Sequence, residues 1–270
     1  MKRIDLDTLF YEFPAEGVAL LTLNRPEQGN GVVVELAQDL ARAFDDLESD
    51  PGIRAVVLTG AGKVFCAGAD LHAMQHHLTE VLPRTHEPFN ARALYPVTQR
   101  LTASRLPVVA AINGGATAGG LDLAMACDIR IASRRAKLGE TYVKLGLPPG
   151  NGGAYFLPKL VGSGMAAELF LTGDVITADR AEAIGLVNRV VEPDELIDEA
   201  VALAARIARN PWRAVEATKQ ALKAGWNQDL QTAITSGYWA VTALQYTDDI
   251  REGVAAFLEK REPDYNRRPQ

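Results

Sequence analysis

Hydrophobic and polar residues change rhythm several times along the chain, and each change predicts an element. Val18 to Leu23 (VALLTL) is a short β-rich run, closed by Asn24-Arg25-Pro26 because proline cannot continue a strand ladder. Val33, Leu36, Ala37, Leu40, Phe44 and Leu47 then return at helical spacing with charged residues between them. They predict an amphipathic helix stopped by Asp50-Pro51-Gly52. Ala55 to Leu58 (AVVL) predicts a buried strand running into Gly60-Ala61-Gly62. A second unit follows: Pro107 to Asn113 is strand-like, Gly114 to Gly120 a glycine-rich turn, Leu121 to Cys127 helical, and Ile129 to Ala132 the next strand. Strands alternating with helices predict an α/β fold with a buried sheet.

After about Pro193 the strand pattern ends. Leu196, Ala200, Leu203 and Ile207 form a helical stripe that stops at Asn210-Pro211. Two more stripes follow, Leu230, Ile234, Val241 and Leu244, then Ile250, Val254, Phe257 and Leu258. Such faces need burial on the core or on another subunit. The chain therefore divides into residues 1–195 and residues 196–270, a change of architecture with no flexible linker between them. The tail from Arg261 to Gln270 is polar and is expected to fray.

Composition narrows the function classes. At 270 residues, 47% apolar and 23% charged, the chain suits a soluble globular protein with a full core, not a disordered or fibrous one. Lys and Arg number 28 against 34 Asp and Glu, a net charge of −6, so a global basic field for nucleic acid is absent. Cys66 and Cys127 have no CxxC spacing, which points to a reducing compartment such as the cytoplasm. The start has no apolar run of the secretory kind. The weakly charged stretch Leu106 to Cys127 contains Asn113, Gly114, Gly115, Gly119, Gly120 and Asp122, so it suits a buried strand, turn and helix better than a membrane span.

Several catalytic signatures are missing: GxSxG, GxGxxG and GxxxxGK[ST] do not occur. His72 and His76 share a helical face, but no Glu follows the first and no third ligand is near, so solvated histidines explain them better than a metal site. Two glycine-containing turns are more informative. Phe65-Cys66-Ala67-Gly68-Ala69-Asp70-Leu71 and Asn113 to Asp122 each follow a strand and run into a helix. Small residues let a ligand approach the main chain, and a helix start presents unpaired N–H donors. Two donors from separate turns are able to hold one developing oxyanion; close packing explains the same glycines without any ligand.

FCAGADL, GGATAGGLDLAMACDIRIA and LGLPPGNGG strongly resemble the crotonase superfamily, also called the enoyl-CoA hydratase/isomerase family. The resemblance continues through LNRP, ITADRAEAIGLVNRVV and FLEKREP, in order over nearly the whole chain. It implies a crotonase-like spiral of ββα units over residues 1–195, then a helical region over 196–270 that drives trimer formation, often with trimers paired into hexamers. It implies an acyl-CoA thioester whose carbonyl oxygen lies between two backbone N–H groups, here those of Ala69 and Gly119. It also sets Gln28, Ala67, Ala69, Asp70, Leu71, Phe257 and Lys260 against coenzyme A, the last two commonly across a subunit boundary. Without the resemblance, Phe257 is a core aromatic and Lys260 a solvated charge.

The acid and base depart from the family pattern. One family Glu matches Asp122, one methylene shorter; the other matches Tyr142, a poor base at neutral pH, with Glu140 two residues earlier. The resemblance implies a 2-enoyl-CoA hydratase in which Asp122 positions or activates water. Double-bond isomerisation needs one carboxylate and is the first alternative, followed by C–C hydrolysis or decarboxylation, or a weakly active acyl-CoA-binding subunit. Coenzyme A enters as part of the substrate, with no prosthetic group, metal, nucleic acid or membrane expected. The stretch His72 to Tyr95 is expected to wall the acyl pocket.

Overall fold

The structure is a computed structural model that describes residues 2–265; residues 266–270 of the tail expected to fray lie outside the described residues. β1 (Arg3–Asp5), β2 (Leu9–Ala15) and β3 (Val18–Leu23) form an antiparallel meander, followed by α1 (Val34–Ser49). A strand–strand–helix unit then recurs. β4 (Ala55–Gly60) and β5 (Val64–Cys66) lead to α2 (Leu71–His76), α3 (Leu82–Thr85), α4 (Phe89–Arg92) and α5 (Leu94–Ala103). β6 (Val108–Ile112) and β7 (Gly115–Thr117) lead to α6 (Gly119–Ala126), and β8 (Ile129–Ser133) and β9 (Lys137–Gly139) lead to α7 (Gly153–Val161) and α8 (Ser163–Thr172). β10 (Val175–Thr177), α9 (Ala178–Ala183) and β11 (Arg189–Val191) close the spiral. Then come α10 (Leu196–Ala208), α11 (Trp212–Gly225), α12 (Leu230–Leu244) and α13 (Asp248–Glu259).

The first strand of each unit joins a seven-stranded sheet in the order β1-β2-β3-β4-β6-β8-β11, parallel from β3 onward. The second joins a four-stranded sheet in the order β10-β9-β7-β5. This is the ββα spiral expected from the resemblance. Successive residues of β4 point to opposite faces: Val56 and Leu58 enter the main core with α1, α5 and α6, while Ala55 and Val57 meet α10. Both faces are covered, which is why AVVL reads as an unbroken apolar run.

The predicted turn Gly114–Gly120 is not all turn, because β7 occupies Gly115–Thr117 and α6 starts at Gly119. Close approach of backbones is the reason. A Cβ on Gly114 would lie 1.9 Å from the Lys63 carbonyl oxygen, and one on Gly120 would lie 1.9 Å from that of Cys66. Only glycine at both places lets β7 pair with β5 in register Val64↔Gly115 and Cys66↔Ala116.

Among the described residues no helix is long and apolar enough to cross a membrane. Cys66 and Cys127 are both free and buried.

Candidate active site

Parallel pairing of β5 with β7 sets the two predicted turns side by side at the ends of those strands. Thr117 Oγ1 donates to the Ala67 carbonyl, and a Cβ on Gly68 would lie 3.1 Å from the Gly119 nitrogen. The bend into α6 is made at Ala118, a non-glycine residue held at φ +47°. Its carbonyl accepts from both Leu121 and Asp122, and its own N–H donates to Gly139. A residue held in so sparsely populated a region costs about 1–3 kcal/mol and signals a functional constraint. The N–H groups of Ala69 and Gly119 have no acceptor among the described residues, so two donors from adjoining turns stay free.

The first turn is anchored from LNRP. Arg25 pairs with Asp70 at 2.8 Å and donates to the Gly31 carbonyl. Asp70 caps α2 by accepting from His72 and Ala73 at 3.0 Å each. Burial raises its affinity for a proton, but the Ala73 N–H and the Arg25 guanidinium outweigh this and hold it below its ordinary value. Asn30, fully buried, accepts from the Arg25 N–H and donates to Ala61 and Val64. These bonds lock the loop that presents Ala69.

One turn into α6, Asp122 is fully buried. Its Oδ2 accepts from the Tyr142 hydroxyl at 2.5 Å, and Asn151 Nδ2 donates to that same hydroxyl at 2.6 Å. The amide therefore fixes the direction of the phenol proton, toward Asp122. Glu140, 1% exposed, turns inward beside them. A Cβ on Gly153 would lie 2.2 Å from Asp122 Oδ1 and 3.5 Å from Glu140 Oε1, so both carboxyls converge on that glycine, the first residue of α7. Asp122 Oδ1, both Glu140 oxygens and Asn151 Oδ1 have no hydrogen-bond partner among the described residues.

Burial without a cation sets the electrostatics. It pushes Asp122 up to about 7, opposed by the hydrogen bond from Tyr142. It pushes Glu140 further, to about 10, and the Asp122 charge adds to the rise. Burial, then the Asp122 charge, also raises Tyr142, so the phenol keeps its proton. Burial thus favours the protonated form of the carboxyl pair, which titrates as a unit beside a phenol donor, a set suited to passing a proton between its members.

The structure thus brings Ala69, Gly119, Asp122, Glu140 and Tyr142 into one region. Ala67 is exposed on the first turn, and its N–H donates to the Gly29 carbonyl. Gln28 lies next to it in the short turn Pro26–Gln28, and Leu71, 55% exposed, opens α2. Phe257 and Lys260 are not brought to the site within one chain. Phe257 is 83% exposed on α13, a helix that lies near Gly17 and Arg54, at the opposite ends of β3 and β4 from the turns. His72 and His76 are exposed on α2, and no group of three or more metal-ligating side chains occurs among the described residues. Residue-by-residue reading missed Asn151. Its only signal in the sequence is its place in LGLPPGNGG, where no local pattern marks an amide for a role.

The chain matches the family profile described as Enoyl-CoA hydratase/isomerase over residues 14–268. It is 40% identical over 251 residues to a crotonyl-CoA hydratase of Syntrophomonas wolfei, covering 93% of this chain and 95% of that one. It is also 40% identical over 249 residues to an (E)-benzylidenesuccinyl-CoA hydratase of Thauera aromatica, covering 92% and 95%. The crystal structure of an enoyl-CoA hydratase from Bacillus anthracis superposes with a TM-score of 0.89 at 36% identity, over 96% of this chain and 99% of that one.

Proposed function

The chain belongs to the enoyl-CoA hydratase/isomerase family, and from that premise we propose that it hydrates the double bond of a 2-enoyl-CoA thioester. One observation carries this reading: a buried Asp122 with Oδ2 held by Tyr142, paired with the inward-facing Glu140 carboxyl, next to two N–H donors without an acceptor among the described residues. The thioester oxygen accepts from Ala69 and Gly119. Asp122 Oδ1 takes a proton from water as its oxygen bonds to C3, and the electron pair of the double bond moves through C2 to the thioester oxygen. Glu140 then delivers its proton to C2 as the enolate collapses. The proton gained by Asp122 returns to Glu140 across the carboxyl pair, so water is consumed and the enzyme is restored.

Tyr142 and Asn151 act through Asp122, selecting which oxygen is the base. Asp70 acts through the loop that carries Ala69, while Gln28, Ala67 and Leu71 border the path of the CoA moiety. Coenzyme A belongs to the substrate, and the chemistry needs no prosthetic group.

Assembly is part of the proposal. Residues 1–195 form the catalytic core and residues 196–270 the assembling region, whose first helix, α10, packs on its own sheet. α12 and α13 expose Leu230, Ile234, Trp239, Val254 and Phe257, which supports a homotrimer or a pair of trimers. In that assembly Phe257 and Lys260 reach the CoA nucleotide of a neighbouring subunit. Two buried free thiols suit a cytoplasmic location.

Glu140→Gln tests the chemistry, with hydration and isomerisation of enoyl-CoAs followed separately. A loss of about 10²–10⁴ in hydration is expected, with acyl-CoA affinity kept. Unchanged hydration would remove Glu140 from the mechanism, and isomerase turnover without hydration would favour the one-carboxylate reaction. Membership leaves the acyl group open, since one relative is named for crotonyl-CoA and another for (E)-benzylidenesuccinyl-CoA.

A further inference from the structure

Beyond the carboxyl cluster lies a cavity of about 1060 Å³ with a mostly apolar wall. That matches or exceeds the roughly 300–1,000 Å³ of ordinary ligand pockets, and is far more than a four-carbon acyl group fills. Its position follows from helix geometry. Met125 and Ala126, which line it, stand three and four residues after Asp122 and so share its face of α6. On α5, Leu94 abuts Gly119, within 2.6 Å of where a Cβ would be, while Thr98, one turn farther along, lines the cavity. Asn151 belongs to both places, holding Tyr142 with Nδ2 and lining the cavity. Two helices and a loop thus run together from the free N–H donors, past the carboxyls, into the chamber, about 5.4 Å per helical turn.

Resting on the hydratase reading, we infer that this chamber receives the distal part of the acyl group, and that the substrates are medium-chain or ring-bearing 2-enoyl-CoAs. With the carbonyl at Gly119 and C3 at Asp122, the chain beyond C4 points to Met125, Phe156 and Trp226. The cationic heads at the rim are already engaged: Lys219 meets Asp128 at 2.8 Å and also bonds to Leu106, and Lys223 donates to the Thr102 carbonyl. An apolar tail therefore displaces no unpaired charge. Of the stretch His72 to Tyr95 expected to wall the acyl pocket, Tyr95, on α5, alone lines this chamber; the rest comes from further residues of α5, from α6, α7, α10 and α11, from the start of β8, and from the loops around them.

Val215→Trp and Thr218→Trp fill the chamber from α11, away from Asp122 and the oxyanion turns. Calorimetry with butyryl-CoA and decanoyl-CoA reads occupancy without turnover, and hydration of crotonyl-CoA and 2-decenoyl-CoA is followed in parallel. The unaltered chain should bind decanoyl-CoA at least about tenfold more tightly, because added methylenes leave water. In both variants that preference should collapse, with butyryl-CoA binding and crotonyl-CoA turnover unchanged. Equal binding of the two ligands by the unaltered chain would overturn the inference. So would a preference that survives both variants, or variants that change the light-scattering mass while the preference stays, which would give the chamber to a second copy of the chain. Preferential binding that the variants abolish, with no hydration of either enoyl-CoA, would keep the chamber and sink the hydratase reading. Crotonyl-CoA hydration with no chain-length preference would do the reverse.

Discussion

The interior around Asp122 and the arm formed by α12 and α13 are both unfinished, in opposite senses. Inside, polar atoms have no hydrogen-bond partner among the described residues: Asp122 Oδ1, the Glu140 carboxyl and Asn151 Oδ1 sit in residues at most 2% exposed. A buried group left without a hydrogen bond costs about 1–3 kcal/mol. On the arm, apolar side chains lack cover, with Leu230 77% and Phe257 83% exposed. α10 sharpens the contrast, since its stripe of Leu196, Ala200, Ala204 and Ala208 is sealed against the sheet of its own chain. On the proposed reading, the interior atoms face the reacting water and acyl group, and the apolar arm faces a second copy of the chain. The two deficits therefore should separate under mutation, one changing chemistry and the other assembly.

The largest effect is expected at Asp122. Asp122→Asn keeps the volume and removes the base, so turnover should fall about 10²–10⁴-fold with acyl-CoA affinity and oligomer mass unchanged. Full activity in that variant would leave the interior deficit without a chemical meaning.

Next comes Gly119. Its Cβ would press on the far end of Leu94, which is able to move, so Gly119→Val should fold and lose roughly 10²–10³ in turnover as the thioester is pushed from its donor. Gly120→Val, one residue on, meets the Cys66 carbonyl and should fail to fold. Circular dichroism and kinetics on the pair separate the two glycines. A folded, fully active Gly119→Val would remove the oxyanion site from this turn.

A smaller effect divides the helices. Leu196→Ala should lower unfolding stability by about 2–5 kcal/mol, since Leu196 is 1% exposed. Leu230→Ala should leave the fold of the single chain within about 0.5 kcal/mol while weakening assembly. Denaturation at matched subunit concentration, with light scattering, measures both. Equal destabilisation with no change in mass would erase the distinction between α10 and α12.

The mildest test is pH. Asp122 and Glu140 bind protons more tightly folded than unfolded, because burial disfavours their charged forms. Their contribution to stability is complete below the ordinary carboxylate range, near pH 4, and is lost as pH rises through about 7 and toward about 10. Stability should decline between roughly pH 5 and pH 9, and Glu140→Gln should flatten that decline. An unaltered slope in the variant would place the titrating group elsewhere.

Local pattern carried much of this molecule. The apolar run AVVL, the helical spacing from Val33 to Leu47 and the strand ends beside glycine follow from hydrophobic period and backbone chemistry, which neighbours in sequence already express. The two glycine-containing turns follow from the same local chemistry, whereas Ala69, Gly119 and Asp122 were singled out within them by the family resemblance. The motif also exposed the missing second Glu at Tyr142.

What tertiary structure decided depends on residues distant in the chain. Tyr142 meets Asp122 across 20 positions, Asn151 then meets Tyr142, and Glu140 turns inward, because α7 packs on α6 and the turn after β9 carries Tyr142 to the same place. No local preference specifies which way a carboxylate on a short turn faces. Likewise, Gly114 and Gly120 admit a backbone while Gly119 leaves its N–H free, a difference set by Lys63, Cys66 and Leu94. Burial of apolar area is non-directional, so a stripe shows that a face must be covered without naming the cover. For α10 that cover is its own sheet; on α12 and α13 the apolar side chains stay exposed among the described residues.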